Sequence, residues 1–194
     1  MAYNSTSWAT EAGTTSVSSP YSLYSSFNTN SDRSYNYAAG YHEILTFENS
    51  TYTSSGKNPH LGNGQDPATS YTTSDSYGYE ADGLVNCLWY ISDSIYIEEI
   101  YALVAADASE EDVVRMHLMS YDFNSGVSAC LTNGVILASS SDVTSEGSEQ
   151  PYLQSEWTID NSSVSSGKVV VATFESVTIL SDYSVNIKIK YKLM

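Results

Sequence analysis

Basic residues are scarce in this chain: seven Lys and Arg against 23 Asp and Glu leave a formal net charge of −16 over 194 residues. Nucleic acids and anionic membranes are bound largely through Lys and Arg, so neither is expected as a partner. Charged residues of both signs make up only 15% of the chain, below the usual quarter, which argues against a disordered polyelectrolyte. There are two cysteines, Cys87 and Cys130. With three scattered histidines they make no zinc-binding spacing. Both fall in strand-like segments, where they are read either as buried reduced thiols or as a Cys87–Cys130 disulfide. Long apolar runs are missing, and no stretch approaches the roughly 18 residues needed to span a bilayer. The opening Met-Ala-Tyr-Asn-Ser-Thr-Ser-Trp lacks the basic start and apolar centre of a secretory signal, so use without signal-dependent export is expected.

Signatures of catalysis are lacking too. The chain holds no Gly-x-Ser-x-Gly elbow, no phosphate- or dinucleotide-binding glycine pattern and no His-Glu-x-x-His. His42 and His60 precede the strand-rich part, and His117 stands mid-strand beside Arg115. His117 is read as a strand histidine facing a sheet surface or an interface, with a general-base role as the sharper alternative. The run Asn-Thr-Asn-Ser-Asp over residues 28–32 alternates oxygen ligands as a calcium loop does. Arg33 occupies the place where such a loop needs Gly, and the closing Glu is absent. Neither a cofactor nor a metal is expected, and the chain is read as a non-enzyme.

What the chain does have is a contrast between two parts. Residues 1–82 are rich in Ser, Thr, Asn and Tyr, with isolated apolar positions such as Trp8, Val17, Leu23 and Phe27 and no sustained period. Ten of the 17 tyrosines lie here. Tyrosine brings contact area at small entropic cost, which suits extended contact paths between proteins. This part is read as a largely irregular extended arm with one short strand near 42–47. Tyr3, Trp8, Tyr21, Tyr24, Phe27, Tyr35, Tyr37 and Tyr41 are its candidate interface residues.

Residues 83–194 read as seven or eight short strands with no lasting helical period. Apolar positions 95 and 97 share one face, and the pattern changes phase at Glu98-Glu99, which predicts a bulge or a sheet switch. Val114, Met116 and Leu118 alternate with Arg115, His117 and Met119. Asn133-Gly134, flanked by apolar runs, predicts a hairpin turn. Residues 152–159 and 168–174 are further strands. The last strand carries Lys188, Lys190 and Lys192 on one face and Ile187, Ile189, Tyr191 and Leu193 on the other. Three of the seven basic residues gather in that comb. It is read as an edge strand guarded by lysines, or as a positive stripe that docks on an acidic surface such as a neighbouring copy. The three lysines are candidate interface residues. The expected fold is all-β, an antiparallel β-sandwich of jelly-roll or immunoglobulin-like kind.

Four segments carry a resemblance: Val-Arg-Met-His-Leu-Met-Ser-Tyr over 114–121, Asn-Gly-Val-Ile over 133–136, Gly-Lys-Val-Val-Val-Ala-Thr-Phe over 167–174, and the closing strand over 183–193. In these, residues from about 84 to 194 resemble the β-sandwich modules of virion structural proteins of tailed bacteriophages. The resemblance does not reach residues 1–82 and carries no residue with a defined role. It implies a protein that decorates or cements a capsid or forms part of a fibre or tail, without enzymatic activity. It also implies self-association, commonly as a homotrimer, contact with a major capsid protein or another virion protein, and assembly in the host cytoplasm. A receptor- or glycan-binding fibre part is the alternative.

Overall fold

The computed structural model describes residues 22–31, 42–48, 60–61, 85–107, 113–123, 131–144, 151–176 and 182–194. Among these, β-strands and one 3-10 turn make up the regular structure. The strands are β1 (Leu23–Ser31), β2 (His42–Ile44), β3 (Thr46–Phe47), β4 (His60–Leu61), β5 (Trp89–Tyr90), β6 (Ile95–Asp107) and β7 (Val113–Phe123). They continue with β8 (Leu131–Ser140), β9 (Val143–Thr144), β10 (Tyr152–Gln154), β11 (Trp157–Ile159), β12 (Ser163–Val164), β13 (Lys168–Ser176) and β14 (Asp182–Leu193). They form two antiparallel sheets. The six-stranded sheet runs β10-β6-β14-β1-β3, with β12 also on β6. The eight-stranded sheet runs β11-β8-β7-β13-β2-β4, with β5 on β13 and β9 on β7. The expected antiparallel β-sandwich is the fold observed.

Alternating side chains from both sheets fill the layer between them. Ile97, Ile100, Ala102 and Val104 of β6 and Val185, Ile187 and Ile189 of β14 face Met116, Leu118, Val170, Ala172 and Phe174 of β7 and β13. An aromatic run crosses one end of this layer. Phe27 tilts against Phe47 at 5.2 Å, Phe47 stacks on Trp89 at 5.5 Å, and Trp89 meets the edge of Tyr191 at 5.0 Å.

That run crosses the expected division at residue 82. Strands β1, β2 and β3, which fall within the expected arm, belong to the two sheets. β1 pairs with β14 over nine residues, and Phe27 is fully buried. The alternation is present in β1, with Ser25 and Phe27 inward and Tyr24 and Ser26 outward. Small hydroxyl residues stand where aliphatic ones usually mark the period, so only the pairing with β14 makes the strand evident. The expected strand near 42–47 is two. β2 pairs with β13 in one sheet and β3 with β1 in the other. The chain crosses the sandwich at fully buried Leu45, whose amide donates to the Ala172 carbonyl at 2.9 Å.

Residues 152–159 divide in the same way, β10 joining one sheet and β11 the other. Buried Gln154 pins the corner: its amide nitrogen donates to the Ser141 carbonyl at 2.8 Å, and its Oε1 accepts from the Glu156 amide at 3.2 Å.

The phase change at Glu98-Glu99 is a bulge. Lys190 lies opposite Glu99 and Tyr191 opposite Ile97, so Glu98 has no opposite residue. Asn133-Gly134 is a bulge as well, not the expected hairpin. Thr132 pairs with Asp122 and Val135 with Ser120, leaving two residues of β8 against one of β7. Asn133 takes a left-handed φ of 52°, which Asn tolerates better than most residues. Its side-chain amide donates to Asp122 Oδ2 at 2.7 Å, and Lys168 holds the other oxygen. The local preference for positive φ is therefore met without reversing the chain, because β7 continues to offer a partner.

The comb strand is not an edge. β14 lies inside the six-stranded sheet, between β6 and β1. Lysines on its outward face accordingly guard no free row of backbone donors and acceptors.

Candidate protein-contact face

The two sheets differ in what lies on their outer faces. On the eight-stranded sheet, Met119 and Tyr121 of β7, Val169 and Val171 of β13, and Ile44 of β2 form a second apolar cluster with Leu131 and Cys87. All of these are buried, and Leu88, after the 3-10 turn at Val85–Cys87, packs against them. Burial pushes the Cys87 thiol up to about 12, which makes it a poor nucleophile at neutral pH. Cys130 lies outside the described residues.

The outer face of the six-stranded sheet is open. Its register sets Leu153 beside Leu103, Tyr101 beside Lys188, Glu99 beside Lys190 and Tyr96 beside Lys192, with Tyr24 of β1 on the far side of Lys190. Tyr24 is 60% exposed, Leu153 59% and Leu103 47%, large apolar surfaces left in water on the sheet. The bulge turns both Glu98 and Glu99 toward this face, since Ile97 and Ile100 on either side of them are core residues.

A small charged network holds one end of the face. Ser22 Oγ donates to Glu98 Oε2 at 2.5 Å, and Lys192 Nζ donates to Glu98 Oε1 at 2.9 Å. The Ser22 hydrogen bond first, and then that from Lys192, hold the Glu98 carboxyl below the usual carboxylate range. The Lys192 ammonium also lies 5.4 Å from the Tyr96 ring centroid, within cation–π range. Lys190 Nζ stands 3.6 Å from Glu99. Lys188 makes no ion pair among the described residues.

Of the sequence-predicted interface residues, the structure brings Tyr24, Lys188, Lys190 and Lys192 together on this face. Phe27 is not a contact residue, because it points inward from β1 into the core. Tyr3, Trp8, Tyr21, Tyr35, Tyr37 and Tyr41 lie outside the described residues. Sequence reasoning missed Leu103, Leu153 and the two glutamates as members of the face. Leu103 was findable: it breaks the polar side of β6, out of phase with core residues Ala102 and Val104.

The other sheet carries a polar group around Arg115 and His117. Arg115 donates from Nε and one terminal nitrogen to the two oxygens of Asp142, both at 2.7 Å, and stands 3.8 Å from Glu175. His117 Nδ1 lies 3.0 Å from Ser139 Oγ. A hydrolytic triad requires the carboxylate to orient the histidine that serves the hydroxyl. Here both oxygens of Asp142 accept from Arg115. Among the described residues no group of three or more His, Cys, Asp or Glu is placed to hold a metal ion.

No family model matches the chain, and no curated protein matches its sequence.

Proposed function

We propose that this protein is a non-enzymatic structural component of a virion, of the capsid decoration or cement type, and that it acts by contact with neighbouring subunits on the particle surface. The open outer face of the six-stranded sheet carries the reading. Leucine, tyrosine and lysine stand there on neighbouring paired strands, with Leu103, Leu153 and Tyr24 in water. Aromatic and aliphatic anchors beside aligned charges are the usual makings of a protein contact. The resemblance of residues 84–194 to phage virion modules supplies the setting, and the low content of basic residues fits a partner that is protein.

Quantitative mass spectrometry of purified particles tests this. Copies in proportion to the capsid lattice are expected, and absence from the particle ends the virion reading. A second reading, a receptor- or glycan-binding fibre part, is favoured by one observation. Tyr90 and Phe123 are both exposed and meet edge to face at 6.4 Å, a pair on which a sugar ring could stack. Glycan-array binding abolished by Tyr90→Ala, with few copies per particle, would select it.

A further inference from the structure

We infer that the outer face of the six-stranded sheet pairs with the same face of a second copy about a two-fold axis running parallel to the strands, between β6 and β14. The inference rests on the reading of this face as a protein-contact surface, and it names the occupant.

Charge is the first argument. The chain carries −16, so most approaches of one copy to another are repulsive. The middle of this face is closer to balance, with Lys188, Lys190 and Lys192 against Glu98 and Glu99. It can meet itself without an excess of like charge.

Register is the second argument. Neighbouring strands carry opposite charges in alignment, Glu99 on β6 opposite Lys190 on β14, with Glu98 bonded to Lys192. A two-fold between those strands lays β6 of each copy over β14 of the other at the same height. Glu99 and Glu98 of one copy then stand over Lys190 and Lys192 of its partner, and both in-chain pairs become four-charge clusters. Tyr101 similarly comes over Lys188. A residue-for-residue reciprocal contact of this kind is what two-fold symmetry requires.

Area is the third argument. The two strands that overlie one another cover about 10 Å by about 40 Å, or about 400 Å² per copy, with β1 of one copy beside β10 of the other at the rim. That is about half of the roughly 800 Å² per partner of a standard interface, in keeping with a concentration-dependent dimer.

Charge reversal with rescue tests the inference, read by sedimentation equilibrium on the full chain, with circular dichroism to confirm folding. Wild type is expected to be a concentration-dependent dimer. Lys190→Glu with Lys192→Glu, and separately Glu98→Lys with Glu99→Lys, should each weaken dimerisation at least tenfold. An equimolar mixture of the two variants should restore it. Leu103→Ser with Leu153→Ser gives an independent arm that alters no charge and should also favour monomer. A wild-type monomer, a trimer, a dimer indifferent to the reversals, or a mixture that fails to pair would overturn the proposal. If the charge variants do not fold, the leucine variants decide alone. A dimer in solution that is absent from particles removes the virion reading and leaves this contact standing. A monomer abundant in particles does the opposite.

Discussion

The two outer faces of this sandwich are built from the same alternating strands and end in opposite conditions. On the eight-stranded sheet, Met119, Tyr121 and Val171 are almost wholly removed from water. On the six-stranded sheet, Leu103, Leu153 and Tyr24 remain in it. Burying one such aliphatic side chain stabilises a fold by about 1.5–3 kcal/mol, so the closed face contributes to stability, whereas the open face contributes little until something covers it. On the open side, lysines and glutamates stand aligned strand against strand. The closed face is part of the molecule's own core, and the open one is surface held ready for contact.

Substitutions can break or sharpen this contrast, and the core shared by both sheets sets the upper scale. Phe27→Ala should cost about 3–5 kcal/mol in urea unfolding, because Phe27 is fully buried and packs on Phe47. A cost near zero would return β1 to a detachable arm. Met119→Ala, on the closed face, should cost about 2–5 kcal/mol. Asn133→Ala should cost about 1–2 kcal/mol, since alanine resists the left-handed φ and drops the bond to Asp122. Asn133→Gly keeps the conformation and should cost less. Leu103→Ser, on the open face, should change the stability of the monomer by no more than about 0.5 kcal/mol. If it costs as much as Met119→Ala, the two faces do not differ in kind.

The smallest effect is one of pH. Glu98, Asp122 and Asp142 all have folded-state values lowered by hydrogen bonds, chiefly from Ser22, Lys168 and Arg115 respectively. A carboxylate depressed on folding lends stability that is fully present above its unfolded value, about 4. That stability is lost as pH falls through the folded value. Because solvent reaches all three groups, the contribution is small. Asp142→Asn should therefore flatten the acid limb of the stability profile slightly, with no change near pH 7. A large loss at neutral pH would mean that the Arg115–Asp142 pair does more than screen two exposed charges.

Much of the fold was legible along the chain. β7 and β14 show period-two alternation, β13 is a continuous β-branched apolar run, and the slip of phase at Glu98-Glu99 announced its bulge. β1 was illegible because Ser25 fills an inward position that an aliphatic residue normally marks. Asn133-Gly134 misled for a related reason: its preference for positive φ is the same in a turn and in a bulge, and only the strand alongside decides which forms. The lysine comb was read correctly as a one-sided, outward row and wrongly as an edge. Whether a strand is flanked on one side or two depends on residues far away in sequence, here β1, some 160 positions earlier than its partner.

By itself, the sequence determined the all-β class, the inward and outward faces of the long strands, and the clustering of basic charge in the last of them. Those follow from local periodicity, which each segment carries with it wherever it packs. Only the tertiary structure decided that β1 completes the six-stranded sheet, that β14 is interior, and that one outer face is covered while the other stays open. Those follow from pairing between distant segments, where hydrogen-bond register and burial are settled jointly by both partners.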